Sequence, residues 1–164
     1  MLRMTLAAWA AAFLAVSPLA AHEVKVGNLE LTQLWARATP PNAPTAGGYL
    51  TIANRGAEPD TLVAAASPLA AKGELHVMAM KDGIMTMRPV EGGIEIPGGG
   101  SVTLAPDGLH IMFVGPKAPL REGDRFPVSL TFAKAGKVDT FLHVLAIGAK
   151  GYGDHDMPDM KMAP

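Results

Sequence analysis

The chain has 164 residues, with 14 Lys and Arg against 15 Asp and Glu for a formal net charge of −1, and it contains no cysteine. The near-neutral charge disfavours nucleic acid and anionic lipid as ligands, since both bind to basic surfaces. Without a thiol, the chain cannot form disulfides, Cys-ligated zinc sites, Cys nucleophiles or a blue-copper centre.

Residues 1–21 have the pattern of an export signal. Arg3 supplies a positive start, residues 6–16 are an uncharged apolar run, and two alanines precede His22. The apolar run is shorter than the ~20 residues that a transmembrane helix needs. We therefore expect a cleavable signal peptide and an exported mature protein that begins at His22 and does not insert into a membrane.

From residue 22 to residue 147, short apolar stretches alternate with Gly/Pro-rich turns at intervals of roughly ten residues. This spacing indicates an all-β, single-domain antiparallel β-sandwich. Residues 148–164 have glycines, prolines and charges but no apolar pattern, so we expect a flexible tail. The predicted strands are residues 29–37, 48–54, 61–67, 74–80, 85–90, 101–104, 109–115, 126–132 and 137–147.

Methionine and histidine are concentrated in two parts of the chain. Of the eight methionines that follow residue 21, five lie within residues 78–112 and three in the tail, whereas core filler would be spread more evenly. His76 and His110 flank the first group, and His155 lies with the second. This clustering indicates metal binding. The methionines are Met78, Met80, Met85, Met87, Met112, Met157, Met160 and Met162.

The dipeptide Asp82-Gly83 favours a hairpin with a two-residue type I′ turn. With that turn, Met80 pairs with Met85 and Met78 pairs with Met87. Because residues two apart and residues directly opposite share a face, the four thioethers are expected on one side of the hairpin. A three-residue loop would instead turn the second pair to the other face.

His76 shares this face and is expected diagonal to Met87. If the strand that begins at residue 109 lies beside the hairpin, His110 and Met112 complete a cage of two imidazoles and two thioethers. Thioethers are soft, neutral ligands that suit Cu(I), and imidazole tolerates both copper oxidation states. With no general acid, base or nucleophile in the set, we expect a copper carrier and no enzyme.

Two other functions remain open from the residues alone, and a third is disfavoured. The methionines could be filler in a metal-free scaffold module, or the protein could be a copper storage or resistance protein that binds several ions. A redox enzyme would need a histidine-rich site, and only two histidines lie near the cluster. We interpret Met78, Met80 and Met85 as core residues or as a soft shell around the site, and His143 as structural or surface-exposed.

The segment at residues 75–90, together with Leu109-His110-Ile111-Met112, resembles the periplasmic copper chaperone family PCu(A)C (PCuAC). The family signature is His or Met, ten residues, Met, about twenty-one residues, then His-x-Met. Here 22 residues separate Met87 from His110, one more than usual, which a glycine loop accommodates. The resemblance extends to residues 34–40 and 48–50.

This resemblance implies a cupredoxin-like or immunoglobulin-like β-sandwich in the periplasm. Cu(I) would bind to His76, Met87, His110 and Met112. The family is associated with copper supply to the CuA centre of cytochrome c oxidase, which makes oxidase subunit II the expected recipient and a Sco-like thiol protein a second partner. We expect the chaperone itself to be a monomer.

Two further copper sites are expected outside the motif. The tail residues His155, Met157, Met160 and Met162 resemble Met/His-rich extensions of some family members and would form a weaker site. As the mature N-terminus, His22 would offer an α-amine and an imidazole to Cu(II).

Overall fold

The computed structural model describes residues 22–153, so the predicted signal peptide and residues 154–164 of the predicted tail lie outside the described part. Within that part, no helix is long and apolar enough to cross a membrane. The eleven strands are β1 (Val24–Val26), β2 (Leu29–Arg37), β3 (Thr45–Asn54), β4 (Asp60–Ala66), β5 (Ala70–Lys81), β6 (Ile84–Pro89), β7 (Ile94–Ile96), β8 (Ser101–Leu104), β9 (Leu109–Pro116), β10 (Arg125–Phe132) and β11 (Gly136–Leu145).

The strands form one hydrogen-bonded sheet in the order β6-β5-β9-β3-β2-β11-β10-β4-β7, with β1 paired to β2 and β8 to β3. The sheet folds over a single main core: the rings of Phe113 on β9 and Phe126 on β10, four strands along, meet edge to face at 5.0 Å. The all-β prediction is confirmed. The pairing of β11 with β2 is parallel, whereas the other pairs are antiparallel.

Alternation decides which side chains enter the core. On β10, Phe126, Val128, Leu130 and Phe132 point inward. On β2 the alternation changes phase, because Gln33 adopts a φ of 50° and the pairing with β3 shifts there. The shift turns Trp35 to the outer face of the sheet.

The chain remains packed beyond residue 147, where the flexible tail was predicted to start. Ala149 is 4% exposed and lies in a small outer cluster with Trp35 and Tyr49. The Nε of Arg37 donates a hydrogen bond to the Ala149 carbonyl at 2.6 Å. The packed part of the chain therefore continues at least to this residue, which the lack of an apolar pattern did not indicate.

Strand β5 begins in the sandwich and ends outside it. Its pairing with β9 stops at Val77, opposite Leu109, whereas its pairing with β6 continues to Lys81. All residues of β6 are exposed. The β5–β6 connection is the predicted two-residue turn, with φ of 53° at Asp82 and 77° at Gly83. We call residues 78–87 the methionine hairpin.

Candidate metal site

Two histidines face each other across the β5–β9 pair. His76 is directly opposite His110, and their ring centres are 5.9 Å apart. Leu75 and Ile111 beside them are buried in the core, so alternation places both imidazoles on the outer face of the sheet. The two histidines are nevertheless only 8% and 5% exposed. The site is therefore a sheltered one on the outside of the sandwich.

Each imidazole has one nitrogen fixed by the protein. The Nε2 of His76 donates to the Glu74 carboxylate at 2.9 Å, and the Nδ1 of His110 donates to the Gly108 carbonyl at 3.0 Å. Within residues 22–153, the buried Nδ1 of His76 has no hydrogen-bond partner. A buried lone pair without a partner is costly, and metal coordination would satisfy it.

The electrostatics around the pair favour the neutral, metal-binding form of His110. Burial lowers the pKa of His110 and the nearby His76 lowers it further, although the bond to the Gly108 carbonyl opposes the shift. The pKa of Glu74 is lowered by the hydrogen bond from the Lys72 ammonium and then by the bond from His76. An ionised Glu74 carboxylate accepts a hydrogen bond from the Nε2–H of His76, and in this tautomer the lone pair is at Nδ1.

The spacing of the rings allows a shared ion. A metal bound to one imidazole nitrogen lies about 3 Å from the ring centre, given metal–nitrogen bonds of about 2 Å. The 5.9 Å between the centres of His76 and His110 is compatible with one ion between them. Across residues 22–153, no three His, Cys, Asp or Glu side chains are grouped to hold a metal.

Thioethers flank the pair on both sides. Met112 lies opposite Glu74 and two residues from His110, on the same face. On the other side, Met87 lies opposite Met78 and is diagonal to His76, as predicted. The structure thus brings the four predicted site residues to one face of three adjacent strands. Their role as metal ligands stays a prediction.

Met80 and Met85 contradict the interpretation that they are core residues. Met80 is 65% exposed and Met85 is 45% exposed, so neither is a core residue. The reason is that the hairpin extends past the end of β9, where no second layer built from residues 22–153 covers it. The other interpretation, a soft shell near the site, stays a prediction.

Sequence reasoning missed Glu74. Its only signal was its position two residues before His76, which places both side chains on one face of a strand. The expectation that the set holds no acid or base did not take account of Glu74, whose carboxylate contacts the His76 imidazole directly.

The other predicted copper positions lie away from this cluster or outside the described residues. The His22 ring stacks on Phe141 at 4.1 Å, its Nε2 is 3.0 Å from the Thr140 hydroxyl, and its centre is 5.9 Å from that of His143. The tail residues His155, Met157, Met160 and Met162 lie beyond residue 153 and outside the described part.

Comparison with known proteins identifies the family. The model of the LpqE-like family matches residues 29–144, which include all four predicted site residues. A relative named "Putative lipoprotein Lxx21020", from Leifsonia xyli subsp. xyli, is 34% identical over 106 residues, or 65% of this chain. The match spans 63% of that relative's length.

Solved structures of PCuAC proteins share the fold. The copper-bound PCuAC domain from PmoF2 aligns with a TM-score of 0.65 and 28% identity, over 76% of this chain and 98% of that domain. The Cu(I) form of DR1885 from Deinococcus radiodurans aligns with a TM-score of 0.58 and 28% identity, over 75% of this chain and 80% of that one. The resemblance to PCuAC proteins expected from the sequence is confirmed.

Proposed function

We propose that this chain, which belongs to the LpqE-like family and shares the PCuAC fold, is an exported copper carrier that binds one Cu(I) at His76, Met87, His110 and Met112. The observation that carries the proposal is the sheltered imidazole pair, in which the buried Nδ1 of His76 has no hydrogen-bond partner among the described residues.

The hydrogen bonds around the pair support a site that is set before the metal arrives. Glu74 and the Gly108 carbonyl each hold one ring nitrogen, which selects the tautomer and the orientation of each ring. Ordering these side chains in advance lowers the entropic cost of binding. The ion would also bind the thioethers of Met87 and Met112, and neutral sulfur ligands favour Cu(I) over Cu(II).

The exposures of the ligands indicate how copper would enter and leave. Both imidazoles are buried, Met112 is partly buried, and Met87 is 48% exposed on the edge strand β6. Met87 is two strands across from His110 and two residues further along, about 12 Å by backbone, so its flexible side chain must lean over β5 to reach a shared ion. A recipient's ligand would therefore displace Met87 first.

An anaerobic titration of Cu(I) into the mature chain, against a coloured chelator, tests the site. We expect a tight first equivalent that is lost in His76→Ala/His110→Ala and retained in the matched control His22→Ala/His143→Ala. Equal affinity of the first double variant and the parent chain would contradict the assignment. Circular dichroism of each variant would show that the β fold is intact.

We extend the proposal to the recipient and the compartment. The family resemblance supports a periplasmic carrier, acting as a monomer, that supplies the CuA centre of cytochrome c oxidase subunit II beside a Sco-like thiol protein. The test is transfer of copper from the loaded chain to the apo soluble domain of subunit II, followed by its CuA absorption, with and without the thiol protein. Absence of CuA in both reactions would point to another recipient.

Copper storage is the second candidate function, favoured by the exposed thioethers of Met80 and Met85. A storage protein would bind several ions of similar affinity, including ions at the tail residues and Cu(II) at His22. A carrier would show a first equivalent much tighter than the rest. The same titration therefore separates the two functions.

A further inference from the structure

The methionine hairpin places three thioethers outside the site proposed above. Met80 lies directly opposite Met85, and Met78 is two residues before Met80 on the same face. Pairing with β9 has ended by this point, so Met80 and Met85 stand beyond the sandwich. All three side chains lie on the face that carries His76.

Packing alone does not explain Met80 and Met85. Burial of a Met side chain stabilises a fold in proportion to the apolar area removed from water, and at 65% and 45% exposure these two side chains gain only part of that stabilisation. An exposed face of a two-stranded ribbon is usually polar. Within the hairpin the sulfur is confined to one face. The opposite face of the hairpin carries Ala79, Lys81, Ile84 and Thr86. Val77 and Arg88 continue that face just outside residues 78–87.

The spacing of the three thioethers suits one soft ion. Directly opposite residues have Cβ atoms about 4.5–5.5 Å apart, and metal–sulfur bonds are about 2.3 Å long. The Met80 and Met85 sulfurs can therefore meet at one ion, and Met78, about 6.8 Å along the strand by backbone, has the reach to add a third. Three neutral thioethers without imidazole or carboxylate favour Cu(I) over divalent ions.

We propose that Met78, Met80 and Met85 form a second, thioether-only Cu(I) site at the hairpin, weaker than the histidine site. Met87 lies opposite Met78 and links the two sites on one face. Copper would pass between them by exchange of thioether ligands, with its oxidation state unchanged. This inference goes beyond the proposed function, because the second site uses neither histidine.

The test follows each methionine separately in the full mature chain. Methionine ε-methyl groups labelled with ¹³C, together with the histidine ring protons, are observed by NMR during anaerobic addition of Cu(I) alone, up to four equivalents. We expect the His76 and His110 ring signals to change with the first equivalent. The Met78, Met80 and Met85 methyl signals should shift at later additions, whether or not tail methionines also respond.

A pair of variants gives the matched comparison. Met80→Leu/Met85→Leu keeps side-chain volume and removes sulfur, and it should bind one Cu(I) fewer and leave the Met78 methyl signal unshifted at later additions. Ile84→Leu alters an equally exposed residue of the same hairpin without removing sulfur, and it should match the parent chain. Equal stoichiometry in all three proteins would overturn the proposal.

Two results of the NMR titration would also overturn it. One is an absence of shift at Met80 and Met85 through all additions. The other is a shift of these methyl groups in step with the His76 and His110 rings, which would mean one site. In His76→Ala/His110→Ala the hairpin methyl shifts should persist. Loss of the histidine site and loss of the hairpin site are thus observed independently.

Discussion

Two histidine pairs of this protein have the same spacing and different surroundings. The ring centres of His76 and His110 are 5.9 Å apart, and so are those of His22 and His143. The first pair joins adjacent strands β5 and β9, with methionines beside it on the same face. The second pair joins the residue at the start of the described chain to β11.

Aromatic and cationic groups surround the second pair. Phe141 stacks on His22 and meets His143 edge to face at 5.1 Å, and the Arg125 guanidinium lies 4.6 Å from the Phe141 ring centre. A nearby cation disfavours a second one. Ring spacing alone therefore does not define a copper site. The neighbours decide whether a histidine pair offers soft ligands or aromatic packing.

Removal of both proposed thioether ligands should give the largest effect. In Met87→Leu/Met112→Leu the first histidine pair keeps its spacing and loses its soft neighbours. We expect Cu(I) affinity to fall at least about 100-fold, since loss of an outer hydrogen-bond partner alone typically costs 10–100-fold. Competition with a Cu(I) chelator measures it, and an affinity within threefold of the parent would show that the imidazoles suffice.

Substitution of Glu74 should give the next effect. Glu74→Ala removes the carboxylate that fixes His76, so we expect Cu(I) affinity to fall about 10–100-fold. Glu74→Gln keeps an acceptor and should lose less. Glu95→Ala, at an exposed position on β7, is the control and should bind as the parent does. Equal losses for Glu74→Ala and Glu95→Ala would mean a general charge effect.

The sequence predicted the local geometry of the site better than its surroundings. Asp82-Gly83 set the turn, and the turn set the pairing of Met78 with Met87. Alternation within a strand does not show where a neighbouring strand ends, so the exposure of Met80 was not predictable. The hydrogen bond of Glu74 depends on a side-chain rotamer, which a pattern does not specify.

Sequence patterns also did not predict those features of the fold that depend on a single backbone angle or on distant contacts. The strands of the core were predicted where apolar alternation was clear, as on β10. The phase change at Gln33 comes from one positive φ, and it decides that Trp35 faces outward. Ala149 is buried in a cluster with Trp35 and Tyr49, which lie a hundred or more positions earlier, and it is hydrogen-bonded to Arg37. Such long-range contacts leave no local pattern.

Oxidation of Met87 ahead of Met112 should give a smaller loss of affinity. Met87 is 48% exposed, whereas Met112 is partly buried, so dilute hydrogen peroxide should convert Met87 to the sulfoxide before Met112; Met80 and Met85, at 65% and 45% exposure, oxidise as well but lie outside the proposed ligand set. We expect Cu(I) affinity to fall by less than in Met87→Leu/Met112→Leu, because Met112 and both imidazoles remain. Peptide mass spectrometry locates the sulfoxide. Faster oxidation of Met112 than of Met87 would contradict the proposed access route.

Thr140→Val should give the smallest effect on copper, because it alters only the second histidine pair. The Thr140 hydroxyl is 3.0 Å from His22 Nε2, and a hydrogen bond of this kind contributes about 0.5–1.5 kcal/mol to stability. We expect a slight decrease in Tm and a Cu(I) affinity within twofold of the parent. An α-amine chelate at His22 would use Nδ1, so Cu(II) binding there should persist. A loss of Cu(I) affinity comparable to that of Glu74→Ala would mean that the two histidine pairs are coupled. The neighbours of each pair would then not determine its copper binding independently.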